Sequence, residues 1–488
     1  MRTSLLTALG ADLHDVVLRD LSRKELCTLC LVSKESRCLA EPYLYSKIDW
    51  QWMLHSEPPI IPFLKTILAR PKLAAHVRSV VLRGSWQNIS WTGQDYHPET
   101  EPAWRERVCF TLSKTDSLVS NEVRPLFDKI EAPLAFIDTW MAAIQANEMD
   151  ALVALLLSQT LDIEHLSIDG RSVIGTKLIG KMFKLALIDK VSGLPRYSRL
   201  KSVHLAPLFV QLDYYGRYLD WYLPYFALPA IETLLLPLDN PPDLASKLQG
   251  FHTLPALRHL KIAQCRETQL KSLLHLTPGL QSFAWEAFSE GYDSPPRDVM
   301  DLNVLHDALR PFQHSLHSLV LSTRFMKEEP PRFEPGRILG DLTWIRTFNK
   351  LRHLALDLPL LEGLMSGSQM TADDLLPGSL QELLLYHDDL SSLFGSWKHE
   401  TWQFVELAND YFRPMELSRP QLTMSLLVTD RCDYLAPGDK QRIKTLISRK
   451  ELNITLQEYQ RPDMYENVAG RARYNAQANP FPDASLAN

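Results

Sequence analysis

Residues 350–356 read Lys-Leu-Arg-His-Leu-Ala-Leu, with an apolar residue at the first leucine, Leu351, and again three and five places on, at Leu354 and Leu356. Leu354 and Leu356 are two apart, the period that puts side chains on one face of a β-strand, whereas His353, Ala355 and Asp357 between and beyond them point to the other face. The same spacing returns in eight further places: HVRSVVL (76–82), DIEHLSI (162–168), RLKSVHL (199–205), AIETLLL (230–236), ALRHLKI (256–262), GLQSFAW (279–285), SLHSLVL (315–321) and SLQELLL (379–385). The first gap is 86 residues and the later ones run from 23 to 37. Apolar segments with helical spacing, such as Thr176 to Asp189 and Leu270 to Leu276, fill the intervals and supply an outer layer.

Nine copies of one phrase at these intervals resemble the period of leucine-rich repeats with insertions. The expected fold is therefore α/β: a leucine-rich-repeat-like solenoid of irregular repeats over residues 77–460, each repeat needing its neighbours to bury its leucines. The competing reading is an ordinary α/β domain, whose buried strands also read as leucine-rich runs. Ahead of the first phrase, residues 1–50 carry apolar residues at helical spacing and predict three short helices, with Ser22 and Glu25 marking a capping box. Residues 51–76 form a proline-punctuated connector around a helix at Ile60 to Ala69, and 461–488 lose all periodicity, as a frayed tail would. Insertions break the rhythm at Gly84 to Arg107, Gly291 to Arg297, Lys327 to Gly336 and Met365 to Asp374; the first holds Trp86, Trp91, Tyr96 and Trp104, read as rings plugging the first turn or as a binding loop.

Composition narrows the function classes. The 488 residues are 45% hydrophobic and 23% charged, and Lys+Arg 52 against Asp+Glu 58 leaves a net charge of −6 with no long run of one sign. Neither nucleic acid nor an anionic membrane surface is an expected partner. No stretch approaches ~18 uninterrupted apolar residues, so no spanning helix is expected. Six cysteines at irregular spacing (27, 30, 38, 109, 265 and 432) suit free thiols in a reducing compartment, the cytoplasm and/or nucleus.

The catalytic motifs fail one after another. Gly175-Thr-Lys-Leu-Ile-Gly180-Lys181-Met182 follows a strand and opens a helix, as a phosphate loop does, but Met182 has no hydroxyl for magnesium and Leu178, Ile179, Met182 and Leu185 continue a helical face. His399-Glu400 lacks the second histidine of a metalloprotease, with Gln403 in its place, and no G-x-S-x-G occurs. Cys27 and Cys30 have no second pair to close a zinc site. His165, His259 and His353 share one place in their phrases, yet strands three apart separate them by ~14 Å, too far to share an ion. No cofactor, no metal and no enzyme activity are expected.

The run Leu9-Gly-Ala-Asp12-Leu13-His-Asp-Val-Val17-Leu18-Arg-Asp-Leu21-Ser-Arg-Lys-Glu25-Leu26, followed by Leu29-Cys-Leu-Val32-Ser33-Lys34 and Pro42-Tyr-Leu44-Tyr45, resembles the F-box of fungal F-box proteins with leucine-rich repeats. Gly10 stands where that family usually has proline, His14 where it has leucine, and Ser36 where it has an aromatic. The resemblance implies a substrate-recruiting subunit of a ubiquitin ligase. Its F-box helices would dock a Skp-type adaptor, and through it a cullin, by Leu9, Leu13, Val17, Leu18 and Leu26, while the repeats hold a target protein. The target surface is expected on the open face of the later phrases, at Lys261, Asp357, Glu382 and Tyr386. The rivals are an interaction scaffold unconnected to the ligase and, less simply, a nucleotide-binding enzyme built on Lys181.

Overall fold

In the computed structural model each of the nine phrases is the entry to a strand, and its three apolar positions are buried. The first-position residues Val77, Ile163, Leu200, Ile231, Leu257, Leu280, Leu316 and Leu351 are closed to solvent, as are the pairs that follow them, from Val80 and Leu82 to Leu383 and Leu385. Each such side chain contributes roughly 1.5–3 kcal/mol by leaving water. The structure describes residues 11–52, 57–84, 120–169, 176–206, 219–238, 244–263, 265–289, 300–325, 338–357, 375–387, 421–429 and 453–457, with a few single positions between them. Apart from Gly84, the four insertions lie outside the described residues, as do the tail, the His399-Glu400 pair, Cys109 and Cys432.

The chain divides into two compact units, residues 1–209 with 220–231, and 210–219 with 232–488. The first opens with α1 (Ala11–Asp20), α2 (Arg23–Val32) and α3 (Lys34–Ser46), runs directly into β1 (Lys47–Trp52), and continues through α4 (Ile60–Ala69), a 3-10 turn (Pro71–His76) and β2 (Ser79–Gly84). After it come α5 (Ser120–Phe127), α6 (Leu134–Gln145), α7 (Met149–Gln159), β3 (His165–Asp169), α8 (Lys177–Leu187) and β4 (Ser202–Ala206). The strands lie in the order β1-β2-β3-β4, all parallel, with Ile48, Val80, Leu166 and Val203 in one line of register. Helix α7 is buried on every side from Met149 to Ser158 and packs with α4, α6 and α8. Such a helix is the centre of its unit rather than a cover for it.

The second unit contains β5 (Thr233–Pro237), α9 (Leu244–Leu248), β6 (His259–Ala263), α10 (Glu267–Leu274), β7 (Ser282–Ser289), β8 (Met300–Asp301), α11 (Leu302–Leu309), β9 (Ser318–Phe325), β10 (Ile338–Leu339), β11 (His353–Asp357), β12 (Glu382–His387), β13 (Thr423–Thr429) and β14 (Asn453–Gln457). Its main sheet runs β5-β6-β7-β9-β11-β12-β13-β14, again all parallel, and β8 pairs with β10 apart from it.

These units replace the single leucine-rich-repeat-like solenoid of 77–460. The finding is an α/β fold with an open, all-parallel sheet whose connections carry helices, the competing reading of the same leucine runs. Parallel strands need crossovers of a dozen residues or more, usually helical. Intervals of 23 to 37 residues satisfy that need, and the described residues of the 86-residue interval include three helices. The boundary expected at residue 50 also shifts, because β1 spans it. Ala355, expected on the open side, is only 5% exposed between Val320 and Leu384.

One hydrogen-bond arrangement recurs just ahead of the strands. The Arg78 carbonyl accepts the amide hydrogens of both Glu164 and His165, and the Glu164 carbonyl those of Lys201 and Ser202. In the second unit the carbonyls of Glu232, Arg258, Gln281, His317 and Arg352 each take two successive amide hydrogens from the next strand's entry.

Candidate functional site: an apolar helical face and a polar sheet row

The helical module is fixed by its caps and by a small core. Ser22 heads α2 in a full capping box, its amide hydrogen donated to Glu25 Oε2 at 2.7 Å while the Glu25 amide hydrogen reaches Ser22 Oγ at 3.4 Å. Ser33 closes α2 and caps α3 through the Ser36 amide at 3.0 Å. Leu18, Leu26 and Ala40 make the core, with Leu21, Leu29, Cys30, Leu39, Tyr43 and Leu44 packed around them. Tyr43 donates from Oη to Asp15 Oδ1 at 2.8 Å, tying α3 to α1.

That core divides the expected adaptor contacts. Leu18 and Leu26 are spent inside the module, and Leu9 lies outside the described residues. Leu13 and Val17 remain exposed at 55% and 40%, joined by Val16 at 59% and, at the end of α2, Leu31 at 80% and Val32 at 69%. Leu13, Val16 and Val17 stand at i, i+3 and i+4, so they share one face of α1. The signal for Val16, Leu31 and Val32 was present in the sequence as surplus apolar residues, but only packing shows which leucines the core consumes. Beside the module, a cleft of about 480 Å³ is lined by Cys38, Glu41, Arg70, Lys72 and His76. Both Glu41 oxygens accept from Arg70 Nη2 at 2.8 Å, so its strongest charge pair is self-contained.

Where a phosphate loop would hold its ligand, the first turn of α8 already holds an anion. Asp150 of α7 accepts the amide hydrogens of Leu178 at 2.7 Å and Ile179 at 3.1 Å. Met182 is buried in the helix face, Lys181 is exposed, and Gly175 lies outside the described residues. The carboxylate occupies the donors that a phosphate would need.

On the second sheet, Glu382 of β12 accepts from His353 Nδ1 of β11 at 2.9 Å. Asp357 and Tyr386 stand opposite each other in register, though their side chains lie outside the described residues. Lys261 is half-buried on β6 between Leu235 and Ala284, four strand spacings and ~19 Å from Glu382. Of the four expected target residues, then, Asp357 and Tyr386 stand together, Glu382 pairs with His353 instead, and Lys261 lies apart.

Ser282 and Ser318, missed in the sequence because serine is unremarkable on a strand, fill the row between His259 and His353. Burial holds the His259 imidazole below its usual pKa. A serine, a histidine and a glutamate side by side have the residue types of a hydrolytic triad. However, Ser318 Oγ is closed to solvent and makes no bond to His353, and the amide hydrogens of these strands are spent in the ladders, leaving no oxyanion donors.

Among the described residues no group of three His, Cys, Asp or Glu side chains could hold a metal, and no helix is long and apolar enough to cross a membrane. No family model matches the chain, and no curated protein matches it.

Proposed function

We propose that the chain recruits a target protein to a ubiquitin ligase of the Skp/cullin/F-box type, with the N-terminal helices docking a Skp-type adaptor and the second sheet's polar face holding the target. The observation that carries this reading is the exposed apolar face Leu13–Val16–Val17 on a module whose own core is already complete without it. An apolar stripe left over from a finished core suits helix-in-groove docking. In this role the protein supplies surfaces and no chemistry, and it acts in the cytoplasm and/or nucleus.

A scaffold with no ligase connection is the second reading, favoured by the packing of α3 on the 71–76 turn and by the Glu41–Arg70 pair, which make the module a cover for its own unit. Leu13→Asp separates the two. Burying an unpaired carboxylate in a groove costs several kcal/mol, so the variant should lose an adaptor that the wild type recovers from cell extract, with unchanged melting. Failure of the wild type to recover an adaptor at micromolar concentration would remove the ligase reading.

A further inference from the structure

The cleft beside the helical module has two walls of different origin. Helix α3 supplies Cys38, Glu41 and Pro42, and the chain leaving α4 supplies Arg70, Pro71, Lys72, Leu73 and His76. The second wall is anchored twice: Leu73 and Ala74 are buried in the first unit, and both Glu41 oxygens accept from Arg70 Nη2 at 2.8 Å. A proline at the head of the turn fixes its first φ. The volume, about 480 Å³, lies within the roughly 300–1,000 Å³ of small-molecule pockets.

Charge is unevenly spent along these walls. Among the described residues Glu41 is the one carboxylate of the lining, and Arg70 answers it. Lys72, exposed on the turn, and His76, half-buried, have no hydrogen-bond or ion-pair partner among the described residues. The cleft thus holds a surplus cation, although the chain as a whole has a net charge of −6. A cation on the wall of a concavity focuses its field there and draws anions in. Pro42, Pro71 and Leu73 give the remaining lining an apolar character.

We propose that this cleft binds a small organic anion, a carboxylate or phosphate ester carried on an apolar body. Lys72 and His76 take the oxyanion, and Pro42, Pro71 and Leu73 cover the body. The inference goes beyond the ligase reading and needs nothing from the Leu13–Val16–Val17 face. Because α3 forms one wall and the turn the other, an occupant touches both and favours the seating of the helical module on its unit.

Cys38 puts an exposed free thiol in the cleft wall and Cys27 an exposed one outside the lining, so the full chain carries its own reporter and control. The measurement is the rate at which each thiol is alkylated by N-ethylmaleimide, read peptide by peptide by mass spectrometry. It is made alone and with phenyl phosphate, benzoate, inorganic phosphate or benzyl alcohol. Phenyl phosphate or benzoate should slow Cys38 several-fold and leave Cys27 unchanged, and the better protector of the two tells phosphate from carboxylate. Inorganic phosphate and benzyl alcohol, each with half of the chemistry, should protect less. Lys72→Glu alters an exposed side chain and so should fold; it is expected to remove the protection, taken within the variant as the ratio of rates with and without anion. No protection by either aromatic anion, equal protection by inorganic phosphate or benzyl alcohol, or protection that survives Lys72→Glu would each overturn the proposal.

Discussion

Leu13 and Leu18 sit five residues apart on one short helix and have opposite fates, because only the second faces Leu26 and Ala40. Leu18→Asp should therefore unfold the module, seen as loss of helical circular dichroism, where Leu13→Asp leaves it folded. The same contrast governs the strands. Leu354→Ala empties a fully enclosed site and should cost ~2–5 kcal/mol by denaturant titration. Ala355→Ser places a hydroxyl where little solvent reaches, and should cost ~1–3 kcal/mol rather than nothing. Gly180 is a third case: a Cβ there would lie 2.5 Å from Trp221 Cβ and 2.6 Å from its Cα. Neither atom is the end of a flexible side chain, so Gly180→Ala should cost ~1–3 kcal/mol or more by thermal melting.

The elements that were legible in the sequence are those that open on an aliphatic residue and keep the even spacing after it. All nine phrases became strands, and the capping box at Ser22 formed as read. Replacing Ser22 by alanine should cost ~1 kcal/mol of helix stability. Strand β1 escaped notice although Tyr45, Ile48 and Trp50 keep the same spacing, because Tyr45 stands at the first position, where all nine phrases have an aliphatic residue. Strand β13 escaped because Gln421 holds its first position, and β14 because its line Ile454 and Leu456 is too short to separate from background. The helical face was half legible: surplus leucines showed that something had to stay exposed, but which ones depends on how α1 rolls against α3. The Ser282–Ser318 row was not legible at all, since its meaning lies in register between strands 36 residues apart.

At the scale of the molecule, the first unit holds a buried carboxyl that ties its stability to pH. Asp150 carries a folded pKa raised to about 7 from 3.8 by burial. Its contribution to stability is fully present below the unfolded value and is lost as pH rises through the folded one. The first unit should thus melt at progressively lower temperature from about pH 4 to about pH 8, by an increment that Asp150→Asn removes. The doubled acceptance at each strand entry has a consequence of another kind. Since a single carbonyl grips two successive amides of the following strand, alignment is decided before the strand begins and does not depend on how much chain was traversed to reach it. Lengthening a flexible connection costs little, with each doubling adding only ~0.6 kcal/mol. A lineage carrying this scaffold is free to accept or discard whole stretches between strands, acquiring new surface chemistry by insertion while its interior is inherited unaltered.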